Sequence, residues 1–171
     1  LVCEPLSRLK AKVTGIDFVN KNIKIAKQHA KKSNLKINYI KQDLSSLNLN
    51  QKYDLILLLE VIEHLDNWKN IVSYCLKHLK PGGRIIFSTI NRTLFSKFFA
   101  IYITEKLLKW VPNNTHTYNK LVKPEELKKF LKKEKMKIID ITGLFFNPIT
   151  QQWSLNKKKT KINYFCTAEK I

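Results

Sequence analysis

Residues 55–65 read LILLLEVIEHL, an apolar run broken by Glu60, Glu63 and His64. A carboxylate left unpaired in an apolar interior costs on the order of several kcal/mol, so these residues are expected where a strand stops and a cleft begins. An imidazole beside two carboxylates can act as a general base, with one glutamate orienting the ring. The same acidic pair also suits the first turn of a helix, where it answers the positive end of the dipole; His64 adjoining both leaves that account incomplete. Asp17, Asp43 and Asn91 stand behind other short apolar runs. Each alone reads as a loop residue, but in register with Glu60 they suggest a pocket.

The elements that must position them alternate in type. Val13 to Asp17 (VTGID) is a β-prone run, and Ile23, Ile25, Ala26 and Ala30 then recur near helical spacing. Ile37 to Ile40 and Tyr53 to Leu59 read as further strands, the second apolar on both faces, as in a parallel sheet covered by helices. Trp68 to Leu79 reads as a helix stopped by LKPGG, and RIIFST (Arg84 to Thr89) as a buried strand. This order implies a doubly wound α/β sheet whose ligands bind beyond the carboxyl ends of its strands. Lys123 to Lys133, with Pro124 in the first turn, reads as a helix, and MKIIDITGLFFNP and KINYFCTAE as closing strands. Lys157 to Thr160 (KKKT) reads as an exposed loop between them. Residues 1–171 are expected to form a single domain.

Leu94 to Val111 departs from this alternation. It is apolar and aromatic, with Phe95, Phe98, Phe99 and Tyr102 on one helical stripe, and it is too charged to span a bilayer. Core or lid packing and membrane contact both remain open for it. No secretory signal is evident, which gives a cytoplasmic expectation. Cys3, Cys75 and Cys166 lack disulfide or zinc-ribbon spacing and are expected as thiols. The formal net charge of +19 comes almost wholly from lysine, with Arg8, Arg84 and Arg92 the only arginines. Readers of nucleic-acid phosphates and base edges favour arginine, so a lysine-covered solvated surface or an anionic membrane face fits better.

Taken in order, VTGID, QD, YDLILLLEVIEHL, LKPGG, FSTINR, TH and ITGLFFNPIT resemble the class I S-adenosylmethionine-dependent methyltransferases, a Rossmann-like fold with helices on both faces of the sheet. More narrowly they are similar to the ubiquinone biosynthesis O-methyltransferase family, from about Val2 to Lys170. The resemblance implies that Asp17 holds the ribose hydroxyls of S-adenosylmethionine, that Asp43 and Leu44 flank the adenine, and that Leu59 touches the cofactor. It implies a magnesium site at Glu60, Glu63 and His64. Magnesium prefers oxygen ligands, so His64 is the awkward member and remains the alternative catalytic base. The substrate implied is a polyprenylated phenol or catechol, with demethylubiquinol and polyprenyl-hydroxyphenol rings as examples. The segment Leu94 to Val111 would meet anionic lipid, giving a peripheral location on the inner face of the cell membrane, with a ubiquinone-biosynthesis complex as a possible setting.

The family pattern also has a first strand and a glycine-rich loop for which this sequence offers no counterpart; its glycines are Gly15, Gly82, Gly83 and Gly143. That strand would lie between Val13–Asp17 and Tyr53–Leu59, so the expectation is two strands with unpaired edges and a chain of marginal stability and little activity. Competing functions are an inactive remnant, a basic lipid-surface module and, favoured only by charge, a nucleic-acid methyltransferase. The last commonly carries (D/N)PPY where this chain has LEVIEHL.

Overall fold

The computed structural model describes residues 2–97, 117–147 and 150–171. The chain divides into two compact units, Leu1–Asn48 and Leu49–Ile171.

In the first unit, helix α1 (Cys3–Arg8) precedes strand β1 (Val13–Asp17), helix α2 (Asn20–Lys32) and strand β2 (Ile37–Lys41). The strands pair in parallel from Val13 opposite Ile37 to Asp17 opposite Lys41. Helix α2 buries Ile23 and Ala30 and packs Ala26 against the same core, which is completed by Tyr39, Cys3, Leu35 and Ile37. That spacing is the apolar stripe of a helix lying on a sheet. Gly15 has a steric reason: a Cβ there would lie 2.8 Å from the Tyr39 ring and 2.9 Å from Cys3 Sγ. The helix ends where Asn34 turns into the left-handed region (φ 51°) and the Leu35 N–H bonds back to Ala30 O at 2.9 Å.

The second unit contains β3 (Tyr53–Leu59), α3 (Trp68–Lys77), β4 (Leu79–Ile90), the short helix α4 (Leu94–Ser96), α5 (Pro124–Lys133), β5 (Met136–Asn147), β6 (Gln152–Asn156) and β7 (Asn163–Lys170). They form a sheet in the order β3-β4-β7-β5-β6, parallel only between β3 and β4. Tyr164, Cys166 and Ala168 alternate into the core from β7, which lies at the centre. Helix α5 presents Leu127, Phe130 and Leu131, and Phe130 meets Trp68 edge to face at 5.1 Å. Its start follows expectation, since Pro124 is the first helical residue and Glu126 Oε2 accepts from the Lys123 N–H at 3.2 Å. Lys170 Nζ donates to Leu76 O in the last turn of α3 and to Leu79 O at the start of β4, at 2.8 and 3.0 Å.

Several sequence expectations need revision. LKPGG does not separate helix from strand: α3 ends at Lys77, and Leu79 already pairs with Tyr53. Residues 80–83 are then looped out before Leu55 meets Arg84, with Gly82 at φ 70°. Strand β3 is not buried on both faces; only Leu58 is fully buried, and Leu55 is 42% exposed. Strand β6 went unrecognised. Its sequence QWSLN alternates polar and apolar residues as a half-buried strand does, although all five residues are exposed. Strands β1 and β3 belong to separate sheets, and each has one edge with no ladder partner among the described residues. Of Leu94 to Val111 only residues 94–97 are described, and Phe98, Phe99, Tyr102, Lys106 and Lys109 lie outside the described residues.

Candidate active site

The site is built at the carboxyl end of β3. Parallel pairing sets Leu59 opposite Ser88 of β4. The next residue, Glu60, adopts φ 53°, a left-handed conformation that costs a non-glycine residue about 1–2 kcal/mol. Contacts from β4 hold it there. The Glu60 N–H is shared between Ser88 O (3.0 Å) and Ser88 Oγ (3.1 Å), while Ser88 Oγ–H donates to Glu60 Oε1 at 2.6 Å. One hydroxyl thus fixes both the backbone and the carboxylate.

Glu63 sits in the 3-10 turn Ile62–His64 that follows, and only 3% of it is exposed. Thr89 Oγ1 donates to Glu63 Oε2 at 2.9 Å, but Glu63 Oε1 is buried without a hydrogen-bond partner. Burial, and then the charge on Glu60, push the Glu63 carboxyl up to about 8. A buried acid of this kind holds its proton near neutrality or needs a compensating positive charge. Glu63 therefore lies under the surface rather than on an open rim, whereas Glu60 and His64 are exposed. Among the described residues, no group of three or more His, Cys, Asp or Glu side chains is arranged to hold a metal ion. The structure brings Glu60 and Glu63 together, and His64 ends the same 3-10 turn as Glu63.

Ser88 and Thr89 were not singled out as site residues in the sequence. RIIFST shows two consecutive hydroxyls, but only the register of β4 against β3 sets them level with the glutamates. Asn91 holds loops instead of facing a pocket. Its Nδ2 donates to Thr160 O at 2.8 Å, its N–H donates to Ile162 O at 2.6 Å, and its carbonyl accepts from Ser96 Oγ. Arg92 donates to Glu126 and to Asn119 O.

In the first unit, Asp17 ends β1 with Oδ1 accepting from the Val19 N–H at 2.7 Å and Oδ2 from Asn22 Nδ2 at 2.9 Å. Each oxygen keeps a lone pair for a further donor. Asp43 caps the 3-10 turn Leu44–Ser46, its Oδ1 accepting from the N–H and the hydroxyl of Ser45, both at 2.7 Å. Those bonds hold its carboxyl below the ordinary aspartate range. Leu44 is half-buried. A shallow depression of about 280 Å³ in this unit is lined by Lys27, Lys31, Asn34 and Ile37, at the amino end of β2 and therefore away from both aspartates.

Comparison with known proteins places this geometry. Residues 1–87 match the family model described as a methyltransferase domain. Over 171 residues the chain is 41% identical to a ubiquinone biosynthesis O-methyltransferase of Rhizobium leguminosarum, covering 99% of this chain and 68% of the relative. It is 38% identical over 165 residues to the protein of the same name from Rickettsia conorii, covering 96% of this chain and 57% of that one. Among solved structures, the magnesium protoporphyrin IX methyltransferase of Synechocystis with bound S-adenosylhomocysteine aligns with a TM-score of 0.71 at 20% identity, covering 99% of this chain and 69% of that one. An S-adenosylmethionine-dependent methyltransferase from Clostridium acetobutylicum aligns with a TM-score of 0.67 at 17% identity, covering 94% and 75%. The structural likeness establishes the fold, the α/β architecture of class I methyltransferases, and the sequence likeness establishes the family: the chain belongs to the ubiquinone biosynthesis O-methyltransferases.

Proposed function

We propose that this chain moves the methyl group of S-adenosylmethionine to a phenolic oxygen of a polyprenylated ring, with Glu60 and Glu63 at the acceptor side. The observation that supports this most is the pair itself, two adjacent carboxylates at a strand end, each gripped by a hydroxyl of β4, with one buried oxygen left unpartnered.

A free phenol has a pKa of about 10, so its proton must be removed before the oxygen can attack. In the reaction the phenolate oxygen forms a bond to the methyl carbon as the carbon–sulfur bond breaks, and S-adenosylhomocysteine leaves. The sulfonium donor supplies an already activated methyl group, which leaves the protein mainly the tasks of alignment and proton removal. Asp17 holds the ribose, Asp43 and Leu44 the adenine, and Leu59 lines the donor. Glu60 is exposed and accepts the phenolic proton directly or through His64, whose ring adjoins Glu63 in sequence.

A magnesium ion suits the pair by donor type, since both side chains offer oxygen and the orphan Oε1 of Glu63 is a natural ligand atom. Bound there, the ion would act as a Lewis acid that lowers the phenol pKa. We further propose that the segment Leu94 to Val111 meets anionic lipid, which would place the chain peripherally on the inner face of the cell membrane, within reach of a bilayer-resident ring and of a ubiquinone-biosynthesis complex.

The test is methyl transfer from labelled S-adenosylmethionine to a short-chain prenylated catechol, alongside calorimetric titration of the donor. Glu60→Gln is expected to slow transfer by about 100-fold while donor affinity is unchanged. Unchanged turnover in that variant would remove Glu60 from the reaction. A chain that binds lipid but neither donor nor acceptor would be a lipid-surface module instead.

A further inference from the structure

The edge strand β6 is exposed along its whole length, with Trp153 at 64% and Leu155 at 66%. Alternate residues of a strand share a face, so these two side chains lie side by side. Across the ladder Trp153 stands opposite Phe146 and Leu155 opposite Leu144, and the Phe146 and Trp153 rings are 5.0 Å apart. The β5–β6 ribbon therefore presents a continuous apolar face of Leu144, Phe146, Trp153 and Leu155. No described element covers it.

Lysines frame that face. Lys157, next in alternation after Leu155, pairs with Asp140 at 2.6 Å. The following chain folds across the opposite side of the ribbon: a Cβ on Gly143 would lie 2.0 Å from Lys159 O, and Lys159 Nζ stands 3.7 Å from the centre of the Phe145 ring. Lys158 and Lys161 are exposed, and neither enters an ion pair among the described residues.

We propose that the β5–β6 ribbon is a membrane anchor of its own, with Trp153, Leu155 and Phe146 entering the acyl boundary of an anionic bilayer and Lys158 and Lys161 meeting its headgroups. Charge decides the occupant. Of the four lysines in residues 157–161 only Lys157 enters an ion pair among the described residues, with Asp140, in a chain of net charge +19. Tryptophan and leucine beside lysine are the composition that settles at the lipid–water boundary, where the indole keeps its N–H wet and its ring buried. The inference does not depend on the methyl-transfer proposal, nor on the segment Leu94 to Val111.

The experiment is co-sedimentation of the purified chain with phosphatidylglycerol–phosphatidylcholine vesicles and with pure phosphatidylcholine vesicles. Binding is expected only with the anionic lipid, and high salt should weaken it. Replacing Trp153 and Leu155 together by serine should lower the partition coefficient by about tenfold or more. Lys158→Glu with Lys161→Glu, at exposed positions that leave the fold intact, should lower it by a similar factor, about tenfold. In a chain carrying Trp68→Phe and Trp110→Phe, brominated lipid should quench Trp153, which reports on this ribbon alone. Unquenched Trp153, equal binding to pure phosphatidylcholine, or unchanged partition in the charge-reversed variant would each overturn the proposal. So would a lipid-free dimer that dissociates when Trp153 and Leu155 are replaced, since the face would then belong to a second copy of the chain.

Discussion

Two pairs of carboxylates in this molecule are held in opposite ways. Asp17 and Asp43 are satisfied by donors at most five residues away: Val19 and Asn22 for the first, Ser45 for the second. Glu60 and Glu63 depend on Ser88 and Thr89, 28 and 26 residues distant, which only the pairing of β3 with β4 brings near. The local pair is exposed or half-exposed, and the bonds from Ser45 hold the Asp43 carboxyl below the ordinary aspartate range. The distant pair includes a buried acid with an unsatisfied oxygen. A carboxylate held by its own loop keeps its geometry whatever the sheet does, whereas one held across a ladder reports on the ladder.

The largest effect expected from this contrast is on stability against pH. The Glu63 carboxyl is raised from 4.5 to about 8, so the folded chain keeps a proton that the unfolded chain loses. Its contribution is complete below about pH 4.5 and disappears as the pH rises towards 8, a change on the order of a few kcal/mol. Denaturant titrations across that range should show stability falling with pH, and Glu63→Gln should flatten the slope. A slope unchanged in that variant would show that Glu63 is not the buried acid described above. Smaller, and aimed at the ladder, is Thr89→Val. It keeps the shape but removes the donor to Glu63 Oε2, and it should cost about 1–3 kcal/mol in the same titrations. Smallest is Asp43→Ala, which disturbs only an exposed turn: the midpoint of unfolding should hardly move while donor affinity drops several-fold. If it were instead as damaging as Thr89→Val, the distinction between local and remote anchoring would be lost.

The same contrast explains what the sequence reveals. Asp17, Asp43 and Glu60 could be marked as strand-end residues because each stands behind a short apolar run, and α5 could be bounded because Pro124 and Glu126 sit where a helix start needs them. These are neighbour effects. Ser88 and Thr89 could not be given roles without the register of β4 against β3, and the burial of Glu63 follows from packing across the sheet. The run 55–59 suggested a strand covered on both faces, yet β3 is an edge of its sheet, which hydropathy alone does not show. Strand β6 shows the converse: QWSLN carries the alternation of a half-buried strand, yet its apolar residues face outward. Gly143 carried no local sign of its purpose, which is to let the backbone at Lys159 lie against β5.

Strand β7 follows β5 and β6 in sequence but lies between β4 and β5, and Lys170 at its end bonds the carbonyls of Leu76 in α3 and Leu79 at the start of β4. During synthesis, β4 and β5 must therefore wait with facing edges open until residues 163–170 have left the ribosome. Long-range pairing of this kind is slow, and exposed edges invite the wrong partner. A translational pause shortly before residue 163 would be more hazardous than one anywhere in residues 1–48, where β1 and β2 pair across a single helix.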